Sequence, residues 1–321
     1  QLNKGVINMN IKKIGLTALA GSLVATSAFA GAMSVTGGAS INVEHINGGA
    51  ADTGKAWSMG NQLTFSGSGE LDNGLNVSLS FVIDQGDDEM PAESSPFDSH
   101  SVTISSDALG SLKFSGEGGS SATSALDTTA AGDIWDAYDI ASTVHPTGIG
   151  GGSNSMMYTL PALMDGLSVN ASFNPSGTST ESAMGYSATY TGVDGLSVSY
   201  GSGDGTTANT SADVMKASYA YGPVTVAYSN YEYDADGTSS DDDTTSYKVS
   251  YTVSDEISLS YGTETIERAA LEDVETSRIS ASYTAGGMTI SATMDEIENM
   301  DGTTTATQDR ERWALGASFA F

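Results

Sequence analysis

The feature that most constrains this sequence is an apolar residue at every second position, repeated in short runs from Val35 to Phe321. Runs such as Leu75–Ile83 and Leu167–Phe173 place apolar side chains on one face of an extended strand and mostly Ser and Asn on the other. Sixteen such runs can be distinguished along the chain. The pattern predicts an all-β protein whose antiparallel sheet has one apolar face and one polar face.

The connections between these runs are of two kinds, which alternate along the chain. Seven are tight turns, and several of them carry Asn-Gly or Asp-Gly, the usual hairpin turn pairs. The other eight are acidic stretches that we expect to span roughly 10 to 36 residues. The sheet therefore has all its turns at one end and all its long connections at the other. The third long connection, residues 118–153, far exceeds the usual loop length.

The composition indicates where the apolar face points. Hydrophobic residues make up only 39% of the 321 residues, which is too little to fill the interior of a sixteen-stranded sheet. An apolar face turned toward lipid needs no interlocking core, and closure of the sheet pairs every backbone group, as hydrocarbon requires. The sequence therefore predicts a transmembrane antiparallel up-and-down β-barrel of sixteen strands around an aqueous lumen.

Charge and side-chain chemistry exclude several classes of function. The chain has 11 basic and 40 acidic residues, a formal charge of −29, so we expect no nucleic-acid partner. It has no Cys and three His, and it contains neither a Gly-x-Ser-x-Gly elbow nor a His-Glu-x-x-His pair. We expect no catalytic activity and no cofactor. Asp234 and Asp236 are weak candidates for loop-bound Ca²⁺ or Mg²⁺, with a solvated acidic loop as the alternative.

The N-terminal residues predict a secretion signal rather than a part of the sheet. Residues 9–30 combine a Lys-Lys pair, a short apolar run and an Ala-x-Ala site, which is typical of a signal peptide. Residues 1–8 precede Met9 and are interpreted as upstream read-through. We therefore expect the barrel to comprise residues 31–321.

Four tyrosines recur at nearly constant spacing: Tyr190, Tyr221, Tyr251 and Tyr283. Each ends an alternating run and precedes a tight turn and another run, so one repeat is one hairpin plus one long connection. Outward tyrosines at one height predict the aromatic girdle of a membrane barrel. Core tyrosines of a soluble sandwich are the alternative interpretation.

The C-terminal alternation continues to an aromatic final residue. It comprises Trp313, Leu315, Ala317, Phe319 and Phe321. A strand that runs to a terminal Phe resembles the C-terminal assembly signal of outer-membrane barrels. With the signal peptide, the hairpin repeat and the outsized third loop, residues 31–321 resemble the Gram-negative general diffusion porins, and the alphaproteobacterial porins among them.

The resemblance implies a homotrimer in the Gram-negative outer membrane that passes ions and small hydrophilic solutes. It implies contact with outer-membrane lipid and lipopolysaccharide, and recognition of Phe321 by the barrel-assembly machinery. It also implies that the third loop, residues 118–153, folds into the lumen and narrows it. The acidic residues of this loop are Asp127, Asp133, Asp136 and Asp139, with Trp135 and Tyr138 as candidate anchors in a short helix at 134–140.

Parity with the apolar face places most basic residues on the lumen side. These residues are Lys113, Lys216, Lys248, Arg278, Arg310 and Arg312. Opposed to the acids of the third loop, they would create a transverse field that sorts solutes by charge. The alternative is that charges merely avoid lipid, where each costs about 2–4 kcal/mol at the midplane. Net acidity favours a mild preference for cations.

Three functional hypotheses follow from the sequence. The first is a passive diffusion channel, of which a substrate-specific outer-membrane channel is the nearest variant. The second is an enzyme built on a barrel, which the absence of the motifs above argues against. The third is a secreted surface-layer or adhesin-like protein, which shares the composition but requires neither the terminal Phe nor the two-ended arrangement of connections.

Overall fold

The computed structural model describes residues 33–48, 55–84, 98–138, 140, 146, 149, 151–175, 181–235, 241–269, 271–304 and 308–321. These residues form one closed barrel in which each strand pairs antiparallel with its neighbours in the sequence. The prediction of sixteen strands in up-and-down order is confirmed. The predicted signal peptide, 9–30, and residues 1–8 lie outside the described residues.

The strands begin and end as follows. They are β1 (Met33–Asn47), β2 (Ala56–Glu70), β3 (Asn76–Asp84), β4 (Ser99–Ser106), β5 (Gly110–Glu117), β6 (Ser155–Thr159), β7 (Leu167–Asn174), β8 (Ala183–Tyr190), β9 (Leu196–Asp204), β10 (Ser211–Tyr221), β11 (Val224–Asp234), β12 (Asp242–Thr252), β13 (Ile257–Arg268), β14 (Val274–Ala285), β15 (Met288–Glu298) and β16 (Arg310–Ala320). The described residues also contain two short 3-10 helices, Ser124–Leu126 and Ile134–Tyr138. No helix in the described part of the chain is long and apolar enough to cross a membrane.

The barrel is closed by its first and last strands. β1 pairs with β16 from Gly38 opposite Ala320 to Asn47 opposite Glu311. Beyond this ladder, Gly37 N donates to Phe321 O at 2.7 Å and Phe321 N donates to Gly37 O at 3.0 Å. The C-terminal residue therefore completes the seam of the barrel through its backbone.

The alternation of the sequence separates an outer face from an inner one. In β11, Val224 and Val226 are 37% and 47% exposed, whereas Ser229 and Tyr231 are buried at 3% and 4%. The buried residues face the interior, where the chain that follows β5 packs against them. The exposed apolar side chains therefore form the outer surface, as the sequence predicts.

Several connections are shorter than the sequence indicated. Only residues 269–273 separate β13 from β14, and only 205–210 separate β9 from β10, so the expectation of at least ten residues is wrong here. The reason is that the backbone ladder continues past the apolar band, since strand pairing does not require apolar side chains. The outward residues at this end of β13 are polar: Thr263, Thr265 and Glu267.

Two glycines in tight turns separate the cost of a left-handed backbone from the cost of a steric clash. Gly74 and Gly110 both have positive φ, at +80° and +76°. A Cβ at Gly74 would meet nothing within 4 Å, whereas one at Gly110 would lie 2.2 Å from Thr159 O. We expect Gly74→Ala to lower the free energy of unfolding by about 1–2 kcal/mol, the cost of the left-handed conformation alone.

Gly110→Ala should lower the free energy of unfolding by clearly more than Gly74→Ala, because its clash is with backbone that cannot move aside. Urea unfolding in detergent, followed by tryptophan fluorescence, measures both variants. Equal losses of unfolding free energy would show that the turn between β4 and β5 adjusts. The short distance to Thr159 O would then not affect stability.

Candidate functional site

The chain between β5 and β6 enters the barrel rather than projecting from it. We call residues 118–138 the inward segment. Its base is held by Gly152 N, which donates to Gly119 O at 2.7 Å, and by Ala122 N, which donates to Ser172 Oγ of β7 at 2.8 Å. These bonds direct the segment across the inner face of the wall, where its backbone needs further partners.

A single row of inward side chains provides those partners. Residues directly opposite each other on β10 to β14 form what we call the docking row: Lys216, Ser229, Ser246, Glu264 and Thr276. Ser229 Oγ accepts from Ala130 N at 2.8 Å, and Ser246 Oγ accepts from Ala131 N at 3.0 Å. The short serine side chains let the segment lie against the sheet while its N–H groups remain hydrogen-bonded.

Gly262 explains why the inward segment can lie so close to β13. It lies two residues before Glu264 on the same inward face of β13. A Cβ there would lie 2.7 Å from the Ala131 side chain. Any larger residue would push the inward segment away from the wall.

Glu264 is the central anchor of the docking row. It is 1% exposed and accepts hydrogen bonds from Thr129 Oγ1, from Trp135 N at 3.2 Å and from Thr276 Oγ1 at 3.4 Å. Buried carboxylates persist where such donors surround them. Glu264 was not among the residues predicted from the sequence, although its inward parity, three residues after the outward Tyr261, marks it as a lumen-facing acid.

Apolar contacts fix the far part of the inward segment. Tyr138, the last residue of the segment, and Ile140, just beyond it, are buried against Ile266, Val274 and Ile297, which point inward from β13, β14 and β15. The helix expected at 134–140 is present as the shorter Ile134–Tyr138. Tyr138 therefore anchors the segment as predicted, and Trp135 packs at the edge of this cluster.

Three of the four predicted loop acids lie in the described part of the inward segment. Asp136 is exposed, and Asp133 Oδ1 accepts from Thr129 N at 2.9 Å while its own backbone has a φ of 51°. Burial raises the pKa of Asp127, and the nearby Asp133 carboxylate raises it further. Asp139 lies outside the described residues.

The predicted wall cations point inward, and two of them form a ladder with carboxylates. Arg278 Nε lies 2.7 Å from Asp295 Oδ1, and Arg312 lies 2.6 Å from both Asp295 Oδ2 and Glu44 Oε2. The Asp295 side chain is fully buried. These two arginines therefore face acids of the wall itself. Asp295 and Glu44 were not among the residues predicted from the sequence.

The remaining cations occupy different places on the inner face. Lys216 Nζ donates to Thr128 O of the inward segment. Lys113 pairs in register with Met157, and Lys248 lies opposite Gly262. Arg310 lies opposite the inward Ile297, in agreement with its predicted parity. Arg268, which was not among the predicted wall cations, pairs with the buried Asp242 at 2.9 Å.

The repeated tyrosines lie on the outer face near the turns. Tyr221, Tyr251 and Tyr283 are 77%, 47% and 42% exposed, and Tyr190 is half-buried with its ring over Gly192. Trp313, Leu315 and Phe319 are also outward on β16.

Of the two acidic residues considered as ligands for Ca²⁺ or Mg²⁺, only one lies among the described residues. Asp234 ends β11, and Asp236 lies outside the described residues. Within the described ranges, no three His, Asp or Glu side chains converge as metal ligands.

Comparison with known proteins identifies a family model and solved structures that this chain resembles. A family model described as Gram-negative porin matches residues 15–270. No curated protein sequence matches the chain. Among solved structures, the anion-selective porin from Comamonas acidovorans is 17% identical, with a TM-score of 0.67 over 90% of this chain and 99% of that one. A double mutant of the Rh. blastica porin is 16% identical, with a TM-score of 0.65 over 90% and 100%.

The role of Glu264 can be tested by hydrogen exchange. Glu264→Ala leaves Trp135 N and Thr129 Oγ1 without their acceptor, which costs about 1–3 kcal/mol. Amide exchange in residues 128–138 should then be faster by roughly 5- to 140-fold, measured by mass spectrometry.

Glu267→Ala is the matched control, because Glu267 lies on the same strand but on the outer face. Glu264→Gln keeps an acceptor oxygen and should fall between the wild type and Glu264→Ala. Unchanged exchange in Glu264→Ala would mean that the serines and the apolar contacts hold the inward segment without the carboxylate.

Proposed function

Because this chain belongs to the family of Gram-negative porins, we propose that its barrel is a water-filled outer-membrane passage narrowed by the inward segment. Ions and small hydrophilic solutes diffuse through it without chemical change. The observation that carries this proposal is the docking row, which holds residues 128–135 of the inward segment against the inner face of a closed, polar-walled barrel. The family is one of channels, so the enzymatic and surface-layer alternatives lose their support.

The charge distribution supports a preference for cations. Arg268, Arg278 and Arg312 each face a wall carboxylate within 3 Å, so their fields are largely cancelled. Asp133 and Asp136 of the inward segment form no ion pair of 4 Å or less with a described residue. The Comamonas acidovorans protein is described as anion-selective, so we expect the two channels to prefer ions of opposite charge.

Assembly in the membrane follows the same proposal. Residues 9–30 direct secretion, and Phe321 presents the C-terminal signal to the barrel-assembly machinery. Three barrels associate, and the outer apolar surface contacts lipid and lipopolysaccharide. Tyr190, Tyr221, Tyr251 and Tyr283 lie at the height of the membrane boundary near the turns, where amphipathic rings are stable.

The function is tested by conductance of residues 31–321 in a planar lipid bilayer. We expect insertion to give open channels in KCl, and a trimer to close in three equal steps. Under a KCl gradient, we expect the sign of the reversal potential to show that K⁺ permeates more readily than Cl⁻. Folded, inserted protein without conductance would refute the diffusion function.

The contribution of the inward acids is tested by Asp133→Asn together with Asp136→Asn. Removing two negative charges from the passage should lower the K⁺ to Cl⁻ permeability ratio, because fewer fixed charges attract K⁺. Asp72→Asn together with Asp194→Asn is the control with the same charge change in exposed turns. An unchanged reversal potential in the first variant would place these two acids outside the ion path.

A further inference from the structure

The outer face of β10 to β15 changes from apolar to acidic at a nearly constant distance from the turns. On β10, the outward Tyr221 lies at the turn end, and Asp213 lies eight residues away on the same face, between the buried inward Ala212 and Val214. Each of these six strands has such a carboxylate, eight to ten residues from its turn end. We call the set the acidic collar: Asp213, Glu232, Asp243, Glu267, Glu275 and Glu296.

Members of the acidic collar lie directly opposite one another. Glu232 lies between Asp213 and Asp243 in the register, and Asp243 also lies opposite Glu267. Among the described residues, β10 to β15 place no Lys or Arg on the outer face. Like charges opposite each other are destabilising, and a carboxylate in an apolar medium costs far more than one in water. The acidic collar therefore lies outside the hydrocarbon of the membrane.

The directions of two tyrosine hydroxyls mark the same boundaries independently of the charges. Tyr200 on β9 is 53% exposed, and its Oη donates to Asp213 Oδ1 at 2.6 Å, toward the end of the barrel with the long connections. Tyr158 on β6 donates to Leu109 O in the turn between β4 and β5, also at 2.6 Å. The two phenols point away from the apolar band in opposite directions, as amphipathic rings do at the two faces of a bilayer.

The spacing gives the height of the apolar band between the two boundaries. Eight residues separate Tyr221 from Asp213, Tyr251 from Asp243, and Tyr283 from Glu275. At the usual rise and tilt of barrel strands, eight residues span about 20 Å along the membrane normal. The apolar band of such barrels is usually about 25 Å tall, and the hydrocarbon core of a typical bilayer is about 30 Å thick. The band on β10 to β15 is therefore short.

The opposite wall does not have this short band. On β2, Met59 and Trp57 pair with the outward Ile41 and Val43 and are 75% and 74% exposed. They lie eleven and thirteen residues from Glu70, the turn end of their strand. Apolar side chains on β2 thus extend past the height at which β10 to β15 become acidic. The short band is a property of one side of the barrel.

We propose that β10 to β15 form a lipid-facing wall that fits a hydrocarbon layer no thicker than about 20 Å, bounded by the tyrosines near the turns and by the acidic collar. The partner is a bilayer of short-chain lipid. A thicker bilayer thins beside this wall, because burying the carboxylates costs more than deforming the lipid. This inference concerns contact with the membrane and does not depend on conduction through the lumen.

The test reads polarity along the outer face of β12. The chain has no Cys, so a single introduced cysteine carries a polarity-sensitive bimane label at a chosen depth. We expect Val249→Cys and Tyr247→Cys to report apolar surroundings and Asp243→Cys to report water, while Glu232 and Glu267 keep the collar charged on either side. The polarity step should lie at the same place in vesicles of dilauroyl- and of dioleoyl-phosphatidylcholine, although the second lipid has the thicker core.

Variants assign the boundary to the acidic collar. Glu232→Leu with Asp243→Leu lengthens the apolar band on two neighbouring strands by about 5 Å. Relative to the wild type, the urea midpoint of unfolding should rise more in dioleoyl than in dilauroyl vesicles, because only the thicker core is mismatched to the short band. Asp72→Leu with Asp194→Leu makes the same chemical change in exposed turns and should shift the midpoint equally in both lipids.

The outcomes separate this inference from the diffusion function. An apolar reading at position 243 in dioleoyl vesicles would overturn the short band, since hydrocarbon would then extend past the collar. Polar readings at all three positions would also overturn it, since this wall would not face lipid. An equal midpoint shift of the Glu232 and Asp243 variant in both lipids would show that the collar does not set the thickness. Inserted protein with the expected polarity step but no conductance would refute the diffusion function alone.

Discussion

Hydrocarbon offers no partner to a backbone N–H or C=O, and every larger feature of this chain depends on meeting that condition. Sixteen strands pair in sequence order, and β1 pairs with β16 so that no edge is left. Once the backbone is satisfied by closure, side chains are free to divide between the two faces. Short Ala and Gly residues can then occupy the outer face, because lipid adapts to a surface that a protein core would have to fill.

Much of this arrangement could be predicted from the sequence because period-two alternation acts locally. The number of strands, the order of turns and the inward direction of Arg278 and Arg312 all follow from parity. Strand ends were less predictable. β13 continues to Arg268 with polar residues on its outer face, so nothing in its hydropathy marks where pairing stops.

The contacts of the inward segment could not be predicted from the sequence, because they join residues that are about a hundred positions apart. Ala130 bonds Ser229, Ala131 bonds Ser246, and Thr129 bonds Glu264. Parity shows that these wall residues face inward, but so do many other serines of the barrel. Which of them meet the segment depends on its path, and that path is set by long-range packing such as Tyr138 against Ile297.

The arginine–carboxylate ladder has a consequence for the order of folding. Arg278, Asp295 and Arg312 lie on β14 to β16, but Glu44 lies on β1, and it is 268 residues away from Arg312 in sequence. Contacts of such high sequence separation form late. An unclosed sheet therefore exposes a carboxylate at one edge and an incompletely matched guanidinium at the other, and both favour water over hydrocarbon. Arg312 already has Asp295 beside it on β15, so closure of the seam is the step that supplies its second carboxylate, Glu44.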